Sequence, residues 1–153
     1  IGKGRVIREG GRICLLSYGT RLGQADLAAD QLDAQGYRTS VVDARFMKPL
    51  DEDLILRMAR EHEILLTLEE GAIGGFGSHV MNLLARHGHL DGGLKARALC
   101  LPDVFIDHDS QQGQLAFAGV DCDGIYAAAR KVILKPSTKT AAPKPKKTSA
   151  GRS

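Results

Sequence analysis

The chain of 153 residues contains no tryptophan, and aromatic residues make up only 5% of it. Its three cysteines, Cys14, Cys100 and Cys122, are odd in number and lack the paired spacing of a zinc site. Cys14 and Cys100 lie in apolar runs and are expected to be core residues, and the acids beside Cys122 are expected to oppose thiolate formation. No apolar run approaches the ~20 residues that cross a bilayer, and no secretory signal is recognisable. These absences favour a cytoplasmic protein.

Basic charge is concentrated at the end of the chain. Six of the 21 basic residues and no acid lie in 135–153, which leaves 15 basic against 18 acidic residues in 1–134. The last segment has three prolines and almost no apolar side chain, so we expect it to be disordered. It also lacks aromatic residues for base stacking, so neither nucleic acid nor a membrane is an expected partner. The sequence predicts one domain, 1–134, followed by a solvated tail.

Apolar periodicity predicts alternating strands and helices in this domain. Two β-rich runs flank Gly10 and Gly11, which predicts an antiparallel hairpin whose first strand lies at a sheet edge. Further strands are predicted at 37–44, 63–68 and 94–101, and helices at 20–35, 51–62, after Ser78, near 110–118 and at 122–134. Helices between successive strands imply right-handed crossovers. We therefore predict a three-layer α/β/α fold with a mainly parallel, mixed five-stranded sheet and an antiparallel edge strand.

Three segments carry the most specific pattern: 43–51 (DARFMKPLD), 69–78 (EEGAIGGFGS) and 101–106 (LPDVFI). In their wording, order and spacing they resemble the C-terminal domain of 1-deoxy-D-xylulose-5-phosphate synthase, of the transketolase group, over about residues 1–134. The beta subunits of 2-oxo-acid dehydrogenases share part of the pattern and are the alternative family. Because the chain begins with Ile1 rather than methionine, we expect it to be a fragment of a longer polypeptide.

The resemblance implies part of a homodimeric transferase that condenses pyruvate with glyceraldehyde 3-phosphate, releases carbon dioxide and supplies isoprenoid and thiamin biosynthesis. It also implies that thiamin diphosphate and magnesium are bound by the two preceding catalytic domains of the polypeptide. The chain lacks the Gly-Asp-Gly and Asn-Asn motif that binds them in this family. We therefore expect no catalytic, cofactor or metal-binding residue here. The fragment should be inactive alone, as a scaffold that covers the catalytic domains and contributes dimer surface.

Some residues of the two longer segments are candidates for an interface or an anion site. Adjacent strand residues point to opposite faces, so Glu69 and Glu70 are expected to form a helix cap or an interface ion pair rather than a catalytic dyad. The glycine turn lacks the lysine of a phosphate loop, so we expect close packing against another domain or subunit. Anion or metabolite binding by an independent regulatory module is the alternative. The candidates are Arg45, Lys48, Glu69, Glu70, Gly74, Gly75, Gly77 and Ser78.

The remaining charged and histidine residues predict structural roles. Arg45 and Lys48 are expected to form ion pairs, with contact to a substrate phosphate as the alternative. His87 and His89 lie with Asp91 in a glycine-flanked turn, where convergent metal ligation is not expected. Three acids precede the helix near 110–118 and could cap it or bind a cation, and capping by Asp109 or Ser110 is preferred. These acids are Asp103, Asp107 and Asp109.

Overall fold

The structure, a computed structural model, describes residues 1–102 and 110–134. The predicted tail, 135–153, and the acids Asp103, Asp107 and Asp109 lie outside these ranges. The strands are β1 (Arg5–Arg8), β2 (Ile13–Ser17), β3 (Thr39–Asp43), β4 (Ile64–Ala72) and β5 (Lys95–Leu101). The helices are α1 (Leu22–Ala34), α2 (Glu52–Glu61), α3 (Phe76–Arg86), α4 (Gln111–Ala118) and α5 (Cys122–Leu134), and a 3-10 turn, Gly19–Arg21, precedes α1.

The five strands form one mixed sheet in the order β1-β3-β2-β4-β5. β2 is parallel to both of its neighbours, and Leu15 lies in register with Val41 on one side and Leu66 on the other. β5 is parallel to β4, whereas β1 is antiparallel to β3 at the opposite edge. The predicted mixed sheet with an antiparallel edge strand is therefore confirmed.

The predicted hairpin between β1 and β2 is wrong, because β1 pairs with β3. All five residues of β2 are buried, and β3 and β4 occupy both of its edges. The chain instead crosses β3 at Gly10, which lies so close to the backbone of Thr39 that a Cβ atom would overlap it. The hydroxyl of Ser40 donates to the Gly10 carbonyl at 2.8 Å. Gly10 therefore permits a close strand crossing, and the two glycines do not form a two-residue turn.

Strand alternation divides the core between the two faces of the sheet. Ile13 and Leu15 pack with α1 and α5 on one face, whereas Cys14 and Leu16 pack with α2 and α3 on the other. The central strands β2, β3 and β4 are buried between two helical layers, as the apolar runs of β2 and β4 predict. No helix in the described ranges has both the length and the apolar character that crossing a membrane requires.

Asp51 is the N-cap of helix α2, as the sequence predicts. The carboxylate of Asp51 accepts the backbone N–H groups of Leu54 at 3.3 Å and Gly4 at 3.0 Å, and Lys3 lies 3.4 Å from it. Burial opposes ionisation of Asp51, but these donors outweigh it and lower the pKa of its carboxyl group. The cap therefore fixes the start of α2 and also holds the N-terminal segment against it.

Ion pairs connect the edge strand β1 to helix α1. The guanidinium group of Arg8 contacts three carboxylates on one side of α1, those of Asp26, Asp30 and Asp33, at 2.7 to 3.1 Å. The hydrogen bond with Asp30 is the largest of the effects that raise the pKa of Arg8. This network joins an otherwise half-exposed strand to the helical layer.

Candidate functional site

The structure gathers the candidate residues at one edge of the sheet. β2, β3 and β4 are parallel, so the segments that follow them leave from the same edge. Tyr18 follows β2, Arg45 and Lys48 follow β3, and the glycine turn follows β4. In open α/β sheets, ligands and partners commonly bind at this carboxyl edge. The position of these residues therefore makes the carboxyl edge the candidate functional site.

Glu69 caps helix α3 from inside the protein. Its side chain is only 4% exposed. One carboxylate oxygen accepts the backbone N–H of Phe76 at 3.0 Å, and the other accepts that of Gly77 at 2.5 Å. Both N–H groups lie at the start of α3, where the helix dipole favours a negative charge. The helix-cap interpretation of Glu69 therefore matches the geometry, and both of its oxygens are used.

The glycines of the turn make room for this carboxylate. A Cβ atom on Gly71 would lie 2.5 Å from the Glu69 Oε1 atom, and one on Gly75 would overlap the same atom. A Cβ atom on Gly77 would lie 2.8 Å from both the Thr67 hydroxyl and the Ala98 methyl group. The close contacts of these three glycines are therefore made within the chain, whereas a Cβ atom on Gly74 would meet nothing within 4 Å. Packing of the turn against another domain or subunit stays a prediction.

The same arrangement leaves the turn poorly suited to an external anion. An anion at a helix start is bound by free backbone N–H groups. Here Glu69 takes the N–H groups of Phe76 and Gly77, and the Gly74 N–H donates to the Ser78 hydroxyl at 2.9 Å. Three backbone donors of the turn are thus engaged inside the protein.

Glu70 lies on the opposite face of the sheet from Glu69, as strand alternation predicts. Its carboxylate is 2.7 Å from the guanidinium group of Arg21. The side chain of Arg21 is only 11% exposed and that of Glu70 is 34% exposed, so water reaches this ion pair from the Glu70 side. The two glutamates therefore cannot act on one proton, and the structure contains no carboxylate dyad at this position.

Arg45 and Lys48 do not form the expected ion pairs with any described residue. Arg45 has a positive φ of 60° and its backbone N–H donates to Asp43 at 3.1 Å. Its guanidinium group lies over the Phe46 ring at 5.6 Å, while the Asp43 carboxylate pairs with Arg5. Both Arg45 and Lys48 are exposed. The backbone of the DARFMKPLD segment is thus ordered, but these two cations point to its surface.

An exposed apolar residue at this edge was not among the candidates. Ile73 lies in the turn between β4 and α3, and 71% of it is exposed. Beneath the turn, the rings of Tyr18 and Phe76 stack with centroids 5.1 Å apart, which holds the start of α3 against the end of β2. The sequence signal that could have identified it is a large aliphatic residue, Ile73, within a glycine-rich turn. The carboxyl edge therefore exposes an apolar side chain, Ile73, next to the packed rings of Tyr18 and Phe76.

The described residues do not provide a reactive thiol or a metal site. Complete burial raises the pKa of the Cys14 thiol to about 12. Burial, followed by the charges of Asp123, Asp121 and Asp30, raises the pKa of Cys122, so the predicted effect of the neighbouring acids is confirmed. In the described ranges, no three His, Cys, Asp or Glu side chains converge, and this includes His87, His89 and Asp91.

Comparison with known proteins gives the family. A sequence profile described as the C-terminal domain of transketolase matches residues 2–125. The chain belongs to the transketolase C-terminal domain family. A solved structure titled "Split gene transketolase, inactive beta4 tetramer" is 30% identical, with a TM-score of 0.77 over 86% of this chain. A transketolase mutant from Pichia stipitis has the same fold at 14% identity, with a TM-score of 0.59 over 86% of the chain.

This transketolase C-terminal domain spans 42% of the first of those chains and 18% of the second. Its described residues do not fit the thiamin diphosphate and magnesium that the resemblance implies. Magnesium at a diphosphate is bound through one or two carboxylates together with phosphate oxygens, so the fit depends on carboxylates that are free to coordinate it. At the carboxyl edge, Glu69 already binds two N–H groups and Glu70 pairs with Arg21. Neither glutamate of this edge is therefore a free ligand for such a group.

Proposed function

We propose that this chain is the C-terminal domain of a thiamin-diphosphate-dependent 1-deoxy-D-xylulose-5-phosphate synthase, which joins pyruvate and glyceraldehyde 3-phosphate and releases carbon dioxide. The family match supports a transketolase-type transferase. The amino-acid sequences of segments 43–51 and 101–106 favour the synthase over a 2-oxo-acid dehydrogenase beta subunit. In this proposal the preceding domains bind thiamin diphosphate and magnesium, and the whole enzyme is a cytoplasmic homodimer.

The domain itself is proposed to be a scaffold and a contact surface. The observation that carries this role is the contrast at the carboxyl edge, where Glu69 and Glu70 are engaged internally while Ile73 is 71% exposed. A catalytic site needs free polar groups, whereas a protein interface has apolar anchors surrounded by polar residues. The similar solved structure is titled a tetramer, which is consistent with assembly through domains of this kind.

The experiment uses the full-length polypeptide that carries this domain. Purified enzyme is assayed for synthase activity with both substrates, thiamin diphosphate and magnesium, and its mass is measured by light scattering. Ile73→Glu is expected to lower both the dimer fraction and the activity, because it places a charge in an apolar contact. Leu27→Glu is the matched control, since Leu27 lies on α1 and is 52% exposed.

Two outcomes would overturn separate parts of the proposal. Absence of synthase activity in the unmodified enzyme, with turnover of another 2-oxo acid, would reject the synthase and favour the dehydrogenase family. Unchanged mass and activity in Ile73→Glu, relative to Leu27→Glu, would reject the contact surface at the glycine turn.

A further inference from the structure

A groove with a volume of about 470 Å³ lies beside the DARFMKPLD segment. One wall is formed by the residues between β3 and α2, and the other by helix α3. Its lining is partly polar and partly apolar. The polar lining residues, termed the rim, are Lys48, Glu52, His79, Asn82 and Arg86; the half-buried apolar residues Met47 and Leu50 are termed the floor, and exposed Pro49 completes the lining.

The rim carries more positive than negative charge. His79, Asn82 and Arg86 are spaced three and four residues apart on α3, so they share one side of the helix. Arg86 is 3.6 Å from Glu52, and both side chains are more than half exposed, so their attraction is weak. Lys48 is exposed on the opposite wall and pairs with no residue in the described ranges. The lining therefore carries two full positive charges, Lys48 and Arg86, and one negative charge, Glu52.

The floor and the wall are held in place before any partner binds. Met47 and Leu50 are half-buried and pack against the core between the sheet and helices α2 and α3. The segment is tied at its start by the Ala44 N–H, which donates to the Ser17 carbonyl at 2.8 Å. At its end, Asp51 caps α2. A groove whose walls are already ordered loses little conformational entropy when it is filled.

We propose that this groove binds a segment of the preceding domains that presents an apolar side chain next to a carboxylate. The apolar group would cover Met47 and Leu50, and the carboxylate would lie between Lys48 and Arg86. A free inorganic anion would use the rim but leave the apolar floor exposed, so a peptide segment is the better match. This inference rests on the proposed function, because the longer polypeptide supplies the segment.

The test is site-specific photo-crosslinking in the full-length enzyme. Asn82→p-benzoylphenylalanine places the probe on the rim without removing either cation, and Arg60→p-benzoylphenylalanine is the control on exposed α2 surface. Mass spectrometry of the crosslinked peptides identifies the contact. The expected result is an adduct at position 82, absent at position 60, on a preceding-domain peptide that contains Asp or Glu.

A charge variant tests the chemistry of the contact. Lys48→Glu in the position 82 probe background is expected to lower the crosslink yield about threefold, the size expected for one exposed ion pair. Lys48→Arg should retain the yield. Because Lys48 pairs with no described residue, its replacement does not remove an internal contact that folding requires.

Three results would overturn the inference: no adduct at position 82, an adduct on a second copy of this domain, or an equal yield in Lys48→Glu and Lys48→Arg. The synthase assay on the same unmodified enzyme is read separately. An inactive enzyme with the expected adduct rejects the proposed function alone, whereas an active enzyme without the adduct rejects the groove alone.

Discussion

Glu69 gives the sharpest stability prediction, because its carboxylate is buried and fully used by helix α3. Replacement by alanine removes two hydrogen bonds to an ionised acceptor, and it leaves the N–H groups of Phe76 and Gly77 without their partner. A hydrogen bond to a charged group contributes about 1.5 to 3 kcal/mol. The adjoining turn is exposed, so water can reach the vacated space and recover part of this energy. We expect Glu69→Ala to lower the free energy of unfolding by about 3 kcal/mol.

The assay is urea denaturation of the chain, followed by circular dichroism. Glu69→Gln keeps one carbonyl acceptor, so about half of the loss is expected from it. Glu63→Ala is the matched control, because Glu63 pairs with Arg12 at 3.2 Å and both side chains are exposed. Its loss should be below about 1 kcal/mol.

An equal loss in Glu69→Ala and Glu63→Ala would refute the reasoning. That result would mean that the buried cap contributes no more than a surface ion pair, and the glycine turn would then need another explanation. A loss as large in Glu69→Gln as in Glu69→Ala would show that the negative charge, rather than the hydrogen-bond count, stabilises α3.

Gly77→Ala should destabilise the protein by about 1 to 3 kcal/mol in the same urea titration, because its Cβ atom would lie 2.8 Å from side chains of two strands. Gly23→Ala should stabilise it by about 0.5 kcal/mol, since Gly23 lies in α1 and its Cβ atom would meet nothing within 4 Å. Asp51 has a lowered pKa in the folded state, so its contribution is present above the unfolded pKa of about 4 and is lost as pH falls further. The difference in unfolding free energy between wild type and Asp51→Asn should therefore shrink below about pH 4, as measured by denaturation at several pH values. In a thiol-labelling assay at neutral pH, buried Cys14 should react only upon unfolding, whereas half-buried Cys100 and Cys122 should be labelled slowly in the native state, because their pKa values are raised.

The elements of this domain were largely predictable because they depend on short-range patterns. The spacing of apolar residues located α1 and α5, and Asp51 marked the start of α2 as a helix-capping acid. The buried run that opens β4 predicted a strand within the sheet rather than at its edge. Strand alternation also separated Glu69 from Glu70 correctly, since that period is a property of the backbone.

The pairing of β1 was not predictable in the same way. Gly10 and Gly11 are compatible with a tight turn, but they are equally compatible with a close crossing over Thr39. The choice depends on whether β2 has a free edge, and its two parallel partners leave none. Which strand pairs with which is decided by long-range competition for edges, and two adjacent glycines carry no information about it.

At the candidate site, too, some features follow from the local sequence and others depend on long-range packing. The sequence by itself determined that a glycine-rich turn precedes α3, that Glu69 and Glu70 point to opposite faces of a strand, and that the chain has a transketolase C-terminal pattern. Only the tertiary structure decided that Glu69 caps the start of α3, that Arg45 and Lys48 form no ion pair among the described residues, and that Lys48 and Arg86 line one groove. The physical reason is that a local pattern specifies backbone conformation and side-chain direction, whereas the partner of a charge depends on which distant segments the packed core brings within hydrogen-bond distance.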